Sequence, residues 1–365
     1  MDAKMKAIVL EAPGIAKMVE IPVPVPGKGE ILIQTKAATV CTSDIMDLKH
    51  GLFAENLPMV MGHEASGVVA ATGDDVTDIK VGDEVAVHPV MSCYKCASCL
   101  RGLSHLCEDM EHLCFNRPGV FSEYFVTRPD CVRKKPPEMS FPVASLMEPV
   151  CVCLEAISRG NVKQGDRVLI AGDGPFGIMI SRLCASKNPK QIIQTGFFDY
   201  RLDQVCIPVQ SRYKITNQKN SADFELNEEP HINTININDE PNLYQKIKDL
   251  TNGDGVDCAI LCVASPEAVG LCIEVLRPRG NLVIFAALSG KTPVDLFNVH
   301  LKELNILGAN NDENYMDEAI RLLCDPELDL KSIITHEIPF DQWKEAFHIA
   351  DEKKDSCLKV SMIIF

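Results

Sequence analysis

The stretch Val168-Leu169-Ile170-Ala171-Gly172-Asp173-Gly174-Pro175-Phe176-Gly177 constrains the fold more tightly than any other part of the chain. An apolar run, three glycines in the pattern G-x-G-x-x-G, and apolar residues at helical spacing over 178–186 spell a strand, a tight turn and a helix. A strand buried on both faces and followed by a helix belongs to a parallel α/β sheet. The glycines let the turn close and let backbone approach a pyrophosphate seated on the helix N-terminus. Glycines alone would also suit a plain βα turn. The strand before and the helix after point instead to a dinucleotide site at Gly172, Gly174, Pro175, Phe176 and Gly177. Apolar strands at 258–263 and 281–286, with a helix over 266–276 between them, continue the same sheet.

Around this insert the texture differs. Residues 6–10, 30–36, 67–71 and 83–87 read as short strands separated by turn signals, and 22–27 as a proline-punctuated link. A helical stretch at 151–160 leads into the insert; after about 292 the pattern turns mixed and ends in a strand-like 358–365. At about 100–200 residues per domain, 365 residues suggest two domains. The expected fold class is α/β. Residues 1–152 and 292–365 form a β-rich domain, and 153–291 a doubly wound parallel-sheet domain inserted into it.

Composition excludes several classes. With 46% hydrophobic and 24% charged residues the chain is not a disordered one. A net charge of −15 offers no basic stripe for nucleic acid. No apolar run exceeds seven residues, against about 20 for a membrane span, so no spanning helix is expected. The start, Met1-Asp2-Ala3-Lys4-Met5-Lys6, has no secretory apolar core. Sixteen cysteines then read as thiols and metal ligands in a reducing, cytoplasmic compartment.

Four of those thiols are grouped: Cys93-x-x-Cys96-x-x-Cys99, then Cys107. A tetrahedral set of four sulfurs with no open position is a structural zinc site. A chance cluster of core thiols is the plainer alternative, but Ser92, Tyr94, Lys95, Ser98, Arg101 and Gly102 make this a polar, turn-rich loop. A zinc ribbon for nucleic acid would need basic surroundings and two separated pairs, and has neither here.

Cys41-Thr42-Ser43-Asp44 and Gly62-His63-Glu64 offer a thiolate, an imidazole and a carboxylate, the ligand mix of a catalytic zinc. Taken alone they are weak, since a lone buried histidine is usually a core residue. The frame Gly62-His63-Glu64-x-x-Gly67-x5-Gly73-x-x-Val76, with the four-cysteine loop after it, resembles the zinc-containing medium-chain dehydrogenase/reductase family. The resemblance runs from Met5-Lys6-Ala7 to Lys359-Val360, and Met147-Glu148-Pro149-Val150 is similar to the sorbitol and threonine dehydrogenase branch.

That resemblance implies a GroES-like zinc catalytic domain around a Rossmann domain, and a hydride transfer between a secondary alcohol and NAD(P). The alcohol would be a polyol, sugar derivative or amino alcohol, acidified by zinc as bound water is. Cys41 and His63 match the family's zinc ligands, and Glu64 or Glu148 the third, the two exchanging with water. Cys151 and Cys153 are rivals for that place. Asp44 would accept the His63 N–H and fix its tautomer. Ser43 matches the residue that takes the alcohol proton. Where the family often has a histidine beyond it, this chain has Met46, so the outer relay falls to His50, to water through Glu64 or Glu148, or to the ribose. A homodimer or homotetramer is implied by the branch.

The acid that binds a ribose 2′-hydroxyl is expected about 20 residues after the glycine turn. Counting along Ile192-Ile193-Gln194-Thr195 reaches Gly196. Its loss, with Arg201 close by, favours NADP; Asp199, reached by a small shift of the turn, would favour NAD. Val263, Ala286 and Ala287 are further expected cofactor contacts. Residues 204–233 replace a short helix with a long polar stretch, either a solvated insertion or a cover for the adenine ribose through Arg212 and Lys214. The competing function is a catalytically silent, nucleotide-binding or redox-sensing scaffold, against which the intact Cys41, Ser43, His63 and Glu148 speak.

Overall fold

The structure is a computed structural model that describes residues 3–206, 214–217, 231–311 and 313–365. It divides into two compact units. The first comprises Met1–Cys151, Asn311–Cys324 and Lys331–Phe365; the second comprises Val152–Asn310 and Asp325–Leu330.

The first unit is built on a mixed sheet whose strands run in the order Val132–Lys134, Glu84–Val87, Glu64–Thr72, Ile31–Thr39, Lys359–Ile363 and Ile334–Pro339. Tyr124–Thr127 also pairs with Ile31–Thr39. The last strand of the chain therefore lies beside one of the first, with Ser361 opposite Thr39. Ile8, Ile33, Phe121, Phe125, Trp343 and Phe347 fill one continuous apolar core, the rings of Trp343 and Phe347 meeting edge to face at 5.8 Å. The glycine spacing that stands out in the sequence has a packing cause. A β-carbon on Gly67 would collide with the Gln34 carbonyl oxygen on the neighbouring strand.

The second unit holds a sheet of seven parallel strands, in the order Lys214–Asn217, His231–Asn236, Gln191–Gly196, Arg167–Ala171, Val256–Leu261, Leu276–Ile284 and Asn305–Gly308. Apart from the first edge strand this is the 3-2-1-4-5-6 order of a dinucleotide fold. Val168, Leu169, Ile170, Ile192 and Ile193 are fully buried, which is why these strands read as unbroken apolar runs. The helix Leu296–Lys302 and the strand Asn305–Gly308, whose residues the pattern assigns to the first domain, complete this sheet instead. Arg182 is wholly buried and donates to the Asp329 carbonyl at 2.7 Å and the Gln204 carbonyl at 2.6 Å, tying residues 325–330 to the same unit.

One further expectation changes. Within 204–233 the structure has the end of a helix, Asp199–Cys206, and an edge strand, Lys214–Asn217; Arg212 lies outside the described residues. Residues Phe141–Arg159 form a stretch that by length and composition could cross a membrane, although no apolar run in it is long. Its most apolar window is 72% buried within the protein, as a core helix is.

Candidate active site

The four-cysteine loop is self-contained. All four Sγ atoms lie within 4.8 Å of one another, with Cys93 and Cys99 4.0 Å apart and Cys96 and Cys107 3.9 Å apart. Sulfurs about 2.3 Å from a central zinc sit about 3.8 Å apart in a tetrahedron, so this set fits the metal with little change. Backbone N–H groups already point at the sulfurs: that of Cys96 donates to Cys93 Sγ at 3.3 Å, and that of Cys93 to Cys107 Sγ at 3.3 Å. N–H groups of Cys99 and Glu108 lower the Cys96 thiol pKa to about 6, while burial raises those of Cys99 and Cys107, whose protons a metal would displace.

The second cluster is assembled from distant segments. Cys41 caps the helix Thr42–His50, and Glu64 opens the strand Glu64–Thr72 directly after His63. Cys41 Sγ, a ring nitrogen of His63 and a carboxylate oxygen of Glu64 lie within 4.8 Å of one another, all buried. Asp44 links two of them. Its Oδ2 accepts the Cys41 N–H at 2.8 Å, and its Oδ1 lies 3.3 Å from His63 Nδ1. Neither Oδ1 nor Nδ1 completes a well-aligned hydrogen bond. Buried polar atoms left this way suit a ring whose final seat is set by an ion at its other nitrogen. Burial disfavours the imidazolium, but the adjacent Asp44 carboxylate outweighs it and raises the His63 pKa well above its ordinary value. A metal at this ring would displace that proton.

Both glutamates are buried, and they are held differently. Lys359 Nζ lies 2.7 Å from each Glu64 carboxylate oxygen, and Thr39 Oγ1 donates to the same group. Glu148, on the helix Met147–Arg159, accepts from Asn311 Nδ2 at 2.7 Å; Asn311 Oδ1 in turn meets His88 Nε2 at 2.8 Å. Burial pushes the Glu148 carboxyl up to about 7, with Glu64 adding to the effect and His63 and Lys359 opposing it. Lys359, Asn311, His88 and Cys114, the last grouped with Asp44 and His63, have no motif to announce them. One signal was available: a lysine in a terminal strand whose neighbours are all core-like. Cys153 faces the Phe176 carbonyl at 4.0 Å, and neither it nor Cys151 joins the Cys41 group. Ser43 is half-buried on the first turn of its helix, with no hydrogen-bond partner among the described residues, whereas His50 is exposed.

In the second unit the glycine turn has the shape its spacing predicts. Gly172 has φ +125°, and a β-carbon there would lie 3.1 Å from the Cys262 carbonyl carbon, beside Val263. A β-carbon on Gly177 would strike the Gly172 carbonyl oxygen, whereas one on Gly174 would meet open space, where a phosphate can approach backbone. Gly174 caps the helix Pro175–Ala185, with Pro175 in its first turn. Phe176 packs against Phe285 at 5.3 Å, and the Ala286 N–H donates to the Leu261 carbonyl. Ala287 is exposed next to it. The residues present therefore fit a dinucleotide.

A family model for the alcohol dehydrogenase GroES-like domain matches residues 27–137, and one for zinc-binding dehydrogenases matches residues 229–325. The L-threonine 3-dehydrogenase of Pyrococcus horikoshii is 30% identical over 357 residues, covering 96% of each chain. The sorbitol dehydrogenase of Bacillus subtilis is 30% identical over 361 residues, covering 98% of this chain and 96% of that one. A short chain alcohol dehydrogenase from Escherichia coli CFT073, solved with NADH, superposes with a TM-score of 0.85 at 26% identity, covering 99% and 100% of the two chains.

Proposed function

The chain belongs to the zinc-containing medium-chain dehydrogenase/reductase family, in its sorbitol/threonine dehydrogenase-like branch, and on that premise we propose how its residues divide the work. It is an oxidoreductase that moves a hydride between a secondary alcohol and NAD(P). Cys41, His63 and Glu64 hold the catalytic zinc, Glu148 is the alternate carboxylate, and Cys93, Cys96, Cys99 and Cys107 hold a structural one. The buried grouping of Cys41, His63 and Glu64, with Asp44 bonded to the Cys41 N–H and its other oxygen 3.3 Å from His63 Nδ1, is the observation that carries this reading.

When bound, zinc supplies Lewis acidity that makes a hydroxyl far easier to deprotonate, and the nicotinamide supplies the hydride acceptor. The chain's own residues do the rest. Ser43 Oγ would accept the substrate hydroxyl proton as it releases its own hydroxyl proton to the outer relay, which is His50, water through Glu64 or Glu148, or the ribose. Asp44 keeps the His63 ring oriented and its Nδ1 engaged. Lys359 neutralises Glu64, so that one buried anion less opposes the carboxylate Glu148. Gly172, Gly174 and the first turn of Pro175–Ala185 receive the pyrophosphate. The substrate is a polyol, sugar derivative or amino alcohol, supported by the threonine and sorbitol dehydrogenases among its relatives. A reducing cytoplasmic setting is supported by the free thiols of the fifteen cysteines whose side chains the structure describes. A homodimer or homotetramer is the assembly the branch implies. For NADP stands the glycine at 196; against it, Arg201 is only 4% exposed and its guanidinium lies over Phe198 and Tyr200.

The test is zinc content measured alongside turnover of a polyol and amino-alcohol panel. Wild type should carry a catalytic and a structural zinc, and chelation of the first should abolish turnover. Full activity in zinc-free protein would sink the reading.

A further inference from the structure

The end of the strand Gln191–Gly196 lacks a side chain that a dinucleotide fold ordinarily uses. An acid there accepts a bond from the ribose 2′-hydroxyl, and its charge opposes a 2′-phosphate. Position 196 is glycine, yet its side-chain space is filled. A β-carbon on Gly196 would overlap Asp173 Cβ and lie 2.6 Å from both its Cγ and its Oδ2. The Asp173 carboxylate therefore stands where a side chain at 196 would begin, delivered from the glycine turn rather than from the strand.

That carboxylate is oriented. Its Oδ2 accepts the N–H of Phe197 at 2.8 Å and of Phe198 at 2.9 Å, the two residues that continue the strand. These bonds leave Oδ1 without a partner among the described residues, and it is not one of the sealed, unpaired atoms of the structure. Asp173 as a whole is 7% exposed, so the anion is held in place with one oxygen in reach. The residue that would answer a 2′-phosphate is not offered in the same way. Arg201 Nε donates to Tyr200 Oη at 2.8 Å, and its guanidinium lies 5.4 Å from the Phe198 ring centre and 5.6 Å from that of Tyr200.

We propose that Asp173 is the residue that sets nucleotide specificity: its Oδ1 accepts the ribose 2′-hydroxyl and its charge turns away a 2′-phosphate, so that the enzyme selects NAD despite Gly196. The two positions act as an exchanged pair, because the overlap prevents both from carrying a side chain as the backbone stands. The proposal rests on the dinucleotide reading above and deepens it.

Fluorescence titration of the purified zinc-loaded protein with NADH and NADPH, without substrate, measures the preference directly. Wild type should bind NADH about tenfold or more tighter than NADPH, and Asp173→Asn should bring the ratio close to one by improving NADPH. Asp173→Gly with Gly196→Asp, which frees the overlapped space and returns the acid to the strand, should restore the NADH preference even if the single variant is poorly folded. Wild type binding NADPH as tightly as NADH overturns the proposal, as does an unchanged ratio in Asp173→Asn. Binding of neither nucleotide overturns the dinucleotide reading, and the proposal with it.

Discussion

The two candidate metal sites of the first unit gather their ligands by opposite routes. The four-cysteine loop draws every ligand from residues 93–107 and orients its sulfurs with its own backbone N–H groups. The Cys41 cluster takes a helix cap, a strand entry and a lysine 295 residues further along the chain. A site that only has to hold a metal can be local. A site that must leave an open position cannot close on itself, so surrounding groups have to hold its ligands apart.

The comparison can be broken, and the largest effects come first. Cys107→Ser should remove the structural zinc and unfold its loop, read as one zinc lost by metal analysis and rapid proteolysis within 93–107; retention of full zinc content would refute the closed set. Cys41→Ser should lower turnover about a thousandfold, a loss of about 4 kcal/mol in the transition state, with melting temperature close to wild type. If the melting temperature collapses as well, the two clusters are not separable. In zinc-free protein, Lys359→Met strands a buried Glu64 anion and should cost about 3–5 kcal/mol in denaturant unfolding. Adding Glu64→Gln should recover much of that, and a double variant no better than the single would deny the coupling. Asp44→Asn leaves both of its contacts sterically possible, so the expected effect is the smallest. Metal affinity should fall about 10–100-fold at the catalytic position and not at all at the structural one.

How much of this was legible in advance follows the same division. Residues that act with sequence neighbours declare themselves: the cysteine loop by spacing, the glycine turn by its flanking strand and helix, His63 and Glu64 by their frame. Asp44 could be paired with His63 only through the family resemblance. Lys359, Asn311 and His88 carry no such mark, because their partners are 163 to 295 residues away and only the fold brings them together. Asp173 was hidden for another reason. The motif treats its position as arbitrary, and its role depends on what is missing at 196. The strand Asn305–Gly308 carries no such signature, because a mostly exposed edge strand lacks the apolar run that marks the inner ones.

The strand Lys359–Ile363 also sets a timetable. Glu64 and its counter-charge are separated in synthesis by the whole of Val152–Asn310, and at about 5–20 residues per second the lysine follows the glutamate by about 15–60 s. Throughout that interval a nascent chain holds a carboxylate it cannot bury without cost. The ion pair on Glu64 can therefore form only after the chain has been made through the second unit and back to Lys359.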